Sequence, residues 1–243
     1  DQDPGIPLRK VQLMTLKTRT KFTSQLQGIQ EHVVRLKEKC AADVRAAGLA
    51  ATGDRGAQEG VVEGRKAEDR LRESIEDGCL DAMLLQQPLI GDDLRFVSGA
   101  FRIVSDLSHI DGMTRDVAFL VEEIPDKAAA KFTREFVEMS EHAASMVERA
   151  VDAFVERDVE LAQQVIEADD KVNSLYAESE EKLVALIRDG KTSAKYLPEL
   201  LMVAKYFERI GDLAKRVAAW AIFRVTGEHK VEEKPSQAAG LDQ

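Results

Sequence analysis

Cysteine is scarce in this chain: Cys40 and Cys79 are the only two in 243 residues. They show neither CxxC spacing nor a paired framework, which excludes a disulfide scaffold or a thiolate zinc site and leaves reduced, structural thiols as expected of a cytoplasmic protein. Aromatic residues are only 5% of the chain, while Ala, Leu, Glu, Lys and Arg are plentiful, so helices joined by short turns are favoured over strands. No run of about 18 apolar residues is present, so no segment reads as a membrane span. The opening DQDPGIPLRKVQL has no apolar centre and is not a signal peptide. Residues 1–13 are set aside as an appended leader, with Met14 the expected native start.

Long basic runs are absent too. The net charge of -10 disfavours phosphate-backbone binding, and nucleic acid is not expected as a partner. There is no serine or cysteine elbow, no Gly-rich loop opening a helix and no HExxH pattern, so no enzyme is expected. The EH pairs at Glu31-His32 and Glu141-His142 project about 100° apart on a helix, as adjacent residues must, and read as surface or interface polar residues.

What is present is helical periodicity. Phe22, Leu26, Ile29, Val33, Leu36 and Cys40 recur at steps of three and four, predicting a long amphipathic helix from about Thr18 to the Gly-bearing stretch Ala51–Gly56. A second helix is expected from about Gln58 to Gln86, with Val62, Leu71, Ile75, Leu80 and Met83 inward, stopped by Pro88 and Gly91. A third, capped by Asp92 or Asp93 and carrying Leu94, Val97, Phe101, Val104, Leu107, Ile110 and Val117, runs toward Pro125. Then the pattern restarts, with Asp126 as cap.

The restart is an internal repeat. KFTSQLQGIQEHVVRL at Lys21–Leu36 aligns with KFTREFVEMSEHAASM at Lys131–Met146, a shift of 110. VVEGRKAEDRL at Val61 aligns with VIEADDKVNSL at Val165, a shift of 104, and FRIVSDLSHIDGMTRDVA at Phe101 with LMVAKYFERIGDLAKRVA at Leu201, a shift of 100. The shrinking shift puts small deletions in the turns of the second repeat, where Gly190–Ser193 joins its last two helices. The predicted fold is all-α: two tandem three-helix bundles related by pseudo-twofold symmetry, residues 14–125 and 126–228, followed by a polar tail at 229–243.

One stretch carries candidate chemistry. In YFERIGDLAKRVA, Glu208 and Asp212 stand four apart beside Phe207, Ile210, Ala214 and Val217. Like charges at this spacing repel by about 0.2–0.5 kcal/mol, so basic neighbours such as Lys205, Arg209 and Lys215, or a cation, must offset them. Asp169 and Asn173 repeat the spacing on the preceding helix, and antiparallel packing would bring all four together. An all-oxygen set suits Mg, Mn or Fe and disfavours zinc, which prefers nitrogen or sulfur. A solvated charged face is the ordinary alternative for such pairs. In the first repeat the aligned positions are Arg65, Asp69, Ser108 and Gly112, so the equivalent site is not expected; Arg65 and Asp69 form a helical ion pair instead. Asp106, His109 and Asp111 lie near the vacated positions, but the register turns them to other faces.

Taken together, the tandem repeats, QQPLIGDDLR, VIEADDKVN and YFERIGDLAKRVA resemble the PhoU family over roughly Thr18–Glu228. The resemblance implies two symmetric three-helix bundles, metal ions on an E(D)xxxD motif in each, a homodimer, and a regulatory adaptor at the cytoplasmic side of the membrane. Its implied partners are the phosphate ABC transporter and the phosphate-sensing histidine kinase, with peripheral membrane association. The intact motif here is Glu208–Asp212 with Asp169 and Asn173 opposite, whereas SHIDG stands at Ser108–Gly112 where the family has ERIGD. At most one metal site, in the second repeat, is therefore expected. A metal-dependent phosphohydrolase or a metal-storage helical protein is the alternative function.

Overall fold

The computed structural model describes residues 8–85, 88–190 and 194–228, and among them there is no strand. Six long helices carry the fold: α1 (Leu8–Ala50), α2 (Arg55–Leu85), α3 (Gly91–Leu120), α5 (Thr133–Glu156), α6 (Val159–Asp189) and α7 (Leu197–Thr226). The short α4 (Asp126–Ala129) and a 3-10 turn at Ala130–Phe132 lead into α5. No helix among the described residues is long and apolar enough to cross a membrane. Residues 1–7 of the expected leader, 191–193 of the last turn and the tail 229–243 lie outside the described residues, although α1 begins six residues before Met14.

Each repeat buries one stripe per helix, and the stripes superpose on the shifts of the alignment. Ile29, Val33, Leu36, Cys40 and Val44 correspond to Met139, Ala143, Met146, Ala150 and Phe154, all buried. Val61, Ile75 and Cys79 match Val165, Ser179 and Leu183, while Val97, Ile103, Leu107, Ile110 and Val117 match Leu197, Val203, Phe207, Ile210 and Val217. The two bundles, α1–α3 and α5–α7, meet where α1 packs on α5 and α3 on α7. Exchanging the repeats maps each of these seams onto itself, which is what a pseudo-twofold axis requires. Side chains follow it: Arg216 of α7 bonds Asp106 of α3, and the same pair of positions with the helices exchanged is Asp116 of α3 bonded to Tyr206 of α7.

The turns differ in detail from the expected caps. Asp54, which was not among them, caps α2 by accepting from the Ala57 amide at 3.0 Å, and Asp158 caps α6 through Leu161 at 2.9 Å. Asp92, Asp93 and Asp126 are not caps; Ile90 and Pro125 occupy those positions without a side-chain bond, and the acids sit one or two residues inside, where the helix dipole favours them. Three residues assigned to the stripes are instead exposed, Leu80 by 53%, Leu94 by 44% and Phe101 by 36%, because they lie at the outer edge of an arc that α2 and α3 bury only on one side.

Close approach fixes the α1–α5 seam. A Cβ on Gly48 would fall 1.9 Å from Ser140 Oγ and 2.5 Å from its Cβ, so the backbones meet only because position 48 has no side chain. Lys37 to Asp152 at 2.7 Å and the forked Arg45 to Glu148 pair at 2.8 and 2.7 Å flank this contact. Gly48→Ala tests the packing, since helix propensity alone would make it stabilising by about 1 kcal/mol. We expect the opposite sign, a loss of about 1–3 kcal/mol from overpacking, read as a lower urea midpoint at unchanged slope.

Candidate metal centre

In the second repeat the buried anchor is Asp169, 2% exposed at the middle of α6. Its Oδ2 accepts from Asn173 Nδ2 at 2.8 Å and lies 2.6 Å from Lys215 Nζ of α7. That ammonium also lies 2.7 Å from Asp212 Oδ1, so it stands between the two carboxylates, where a cation would sit. Burial alone would lower the Lys215 pKa, but bonds to Asp169 and Asp212 outweigh it and raise the value, which keeps the bridge charged.

Two of the four predicted residues, Asp169 and Asp212, thus share one amine, and Asn173 joins them through its bond to Asp169. Glu208 does not join them: its Oε2 lies 2.8 Å from Lys205, whose ammonium rests 4.8 Å from the Tyr176 ring centre. The donor set nevertheless retains a feature that suits a hard cation. Asp169 Oδ1 is buried without a partner, in space left open by Gly211, where a Cβ would stand 3.1 Å away.

The first repeat holds a cluster that the alignment did not bring out. Asp43 of α1, Glu68 of α2 and Asp111 of α3 are all buried, with one oxygen of each within 4.8 Å of the others, the only such acidic trio among the described residues. Lys39 bridges Asp43 at 2.9 Å and Glu68 at 3.2 Å; Arg115 bridges Glu68 at 2.9 Å and Asp111 at 3.1 Å. Arg115 is the counterpart of Lys215. The trio, by contrast, stands where the second repeat has Ala153, Val172 and Gly211, all buried. A signal was available in the sequence, because Glu68 lies seven residues from both Val61 and Ile75 and therefore on the buried stripe.

Of the other first-repeat candidates, Arg65 and Asp69 form the expected helical pair at 3.7 Å. Asp106, His109 and Asp111 do not converge: Asp106 bonds Arg216, Asp111 belongs to the trio, and His109 is exposed.

Three carboxyls against two cations leave one negative charge uncompensated. Burial, followed by the bond to Glu68, pushes the Asp43 carboxyl up to about 7, with Lys39 pulling the other way. Glu68 is raised by burial and then by Asp111. Asp43 therefore takes up its proton near neutrality, beside Glu68, while Lys39 stays charged. Because the folded pKa lies above the unfolded 3.8, the folded state binds the extra proton between these values, and stability falls as pH rises from about 4 to about 7. Asp43→Asn should remove that decline in chelator-treated protein. At pH 8 we expect it to be more stable than wild type by about 1–3 kcal/mol in urea unfolding, shrinking to near zero at pH 4.

Fold and sites together define an all-helical tandem-repeat protein over its described residues, with a buried ionic cluster in each half. The model of the PhoU domain matches residues 136–221. A phosphate-specific transport system accessory protein PhoU homolog of Clostridium acetobutylicum is 30% identical over 159 residues, 65% of this chain and 73% of the relative. One from Aquifex aeolicus is 33% identical over 174 residues, 70% and 76% of the two chains. The chain belongs to the PhoU family. Its fold matches the crystal structure of PhoU from Pseudomonas aeruginosa with a TM-score of 0.73 at 24% identity, covering 85% of this chain and all of that one. A second match is the phosphate transport system regulatory protein PhoU from Streptococcus pneumoniae, with a TM-score of 0.77 at 20% identity and 86% and 99% coverage.

Proposed function

We propose that this protein is a non-enzymatic adaptor of phosphate uptake and phosphate-starvation signalling. It works in the cytoplasm, at the membrane face, between the phosphate ABC transporter and a sensor histidine kinase, as a homodimer. The observation that carries this reading is its relation to proteins named as accessory to phosphate-specific transport. The fold supports it: two helical bundles fused along two seams offer broad, rigid helix faces. The ionic clusters are bridged within each bundle by lysine and arginine.

Deleting the gene should derepress alkaline phosphatase in high phosphate, and the tagged protein should co-purify transporter and kinase components. Unchanged repression together with an empty pull-down removes the proposal.

A metal-stabilised second bundle is part of this reading, and the orphaned Asp169 Oδ1 supports it. Asp169, Asn173 and Asp212 would hold a hard divalent or trivalent cation such as Mn, Mg or Fe, with Glu208 turning in from Lys205, and Lys215 would have to yield its place. Lys215→Ala is therefore informative. Without metal it leaves Asp169 buried and unpaired, at a cost of about 3–5 kcal/mol. Added Mn should restore most of that loss, and Asp212→Ala on the same background should abolish the rescue. Rescue absent at millimolar Mn, with no metal found in wild-type protein purified without chelator, eliminates the site.

A further inference from the structure

Three arginines from three helices converge at the corner where α3 begins and α5 and α7 end. Arg224 of α7 is 7% exposed, its guanidinium lying 4.6 Å from the centre of the Phe96 ring and 5.1 Å from that of Phe154. Nη1 donates to the Phe154 carbonyl at 2.6 Å and to that of Val155 at 3.3 Å, tying down the end of α5. The opposite edge is not used in this way. Nη2 lies 3.6 Å from Asp92 Oδ2, beyond hydrogen-bond range, and Nε is buried with no partner.

Arg157, the C-cap of α5, reaches the same Asp92 Oδ2 at 3.3 Å from a left-handed backbone with φ of 63°. Arg95 lies three residues beyond Asp92 on the same face of α3, and its Nη1 lies against Gly227, the glycine cap of α7. Its Nε is also buried and unpartnered.

The location is distinctive among the described residues. Only two buried side-chain donors in them lack a hydrogen bond, and both are here, Arg95 Nε and Arg224 Nε; the other buried atoms without one are carboxylate oxygens, two of which, on Glu68 and Glu208, still face a lysine. One of those oxygens, Asp92 Oδ1, belongs to this same corner. Asp92 is the one carboxylate paired with both Arg157 and Arg224, and Ile90 puts no side-chain cap on the first amides of α3. The Arg224 pKa is lowered by burial, an effect that Asp92 opposes and Arg157 reinforces, so the cation is incompletely compensated.

We infer that this corner is a binding site for inorganic phosphate as its monohydrogen anion, taken up by Arg95, Arg157 and Arg224 and read by Asp92. The Nε and Nη2 edge of Arg224 is the fork that donates to two oxygens of a tetrahedral anion side by side. Asp92 Oδ1, an acceptor without a donor, selects an anion that still carries a P–OH. Sulfate at neutral pH has no proton to give it, and neither does a phosphomonoester dianion. The inference rests on the adaptor reading only for its biological meaning, since binding is a property of the isolated protein.

Isothermal titration of the full chain at pH 7.5 with inorganic phosphate, sulfate and phenyl phosphate tests it. Saturable phosphate binding is expected, with sulfate and phenyl phosphate weaker by about tenfold or more because Asp92 Oδ1 stays unpaired with them. Arg95→Gln should weaken phosphate by about tenfold. Asp92→Asn should bring phosphate and sulfate to within about threefold of each other, because its amide can donate to either anion. Circular dichroism confirms that the variants fold; should Arg95→Gln fail to, the half-exposed Arg157→Gln takes its place with the same expectation. No saturable heat, equal binding of phosphate and sulfate by wild type, or affinity untouched by the arginine variant overturns the site. Each of these outcomes leaves the adaptor reading standing, which alkaline phosphatase repression tests separately.

Discussion

A carboxylate placed in a helical core needs a cation within reach, and in both repeats the same position of the last long helix supplies it. Arg115 and Lys215 are counterparts one repeat apart, and each reaches from α3 or α7 to the middle helix of its bundle. Removing such a cation leaves a buried charge whose desolvation outweighs any ordinary surface pair. The two clusters therefore lock α2 to α3 and α6 to α7 at one height each. That constraint complements the apolar stripes, which by themselves specify a face but not a register along it.

Much of the fold was legible because helical periodicity and an internal repeat are properties of the chain itself. Residues such as Val104 and Ala204, or Ile110 and Ile210, fall on the same shift and the same buried stripe, so the pairing of halves could be read before any contact was seen. The misreadings lie where burial depends on neighbours rather than on period. Leu80, Leu94 and Phe101 carry the right spacing, but no helix covers that side of α2 and α3. Caps were misread for a related reason. An acid near a helix start favours the dipole at any of the first few positions, so Asp92 and Asp126 announce a beginning without marking the capping residue.

The candidate site was only partly legible, and the reason is chemical. The i,i+4 pairs showed which helix faces carried acids, and Asp169 and Asp212 meet through Lys215 with Asn173 bonded to Asp169. Spacing cannot say which lysine intervenes, and Glu208 went to Lys205. In the first repeat, looking only at positions aligned with the motif concealed Asp43 and Glu68, whose counterparts are apolar. The halves share a backbone and differ in their ionic chemistry: one core holds three acids bridged by Lys39 and Arg115, the other two acids on Lys215.

That asymmetry bears on how two fused, similar bundles can have separate roles. The α1–α5 and α3–α7 seams couple them mechanically through tight packing at Gly48 and through the Asp106 to Arg216 pair. A change that moved one bundle would meet the other at both seams. Arg224 is where this coupling is most direct, because a single side chain spans Asp92 at the start of α3 and the carbonyls that end α5. An anion bonded to Arg95, Arg157 and Arg224 would tie α3, α5 and α7 together, two helices of the second bundle and one of the first. An oxyanion at that corner would thus bear on the relative placement of the bundles, because α3 belongs to one and α5 and α7 to the other.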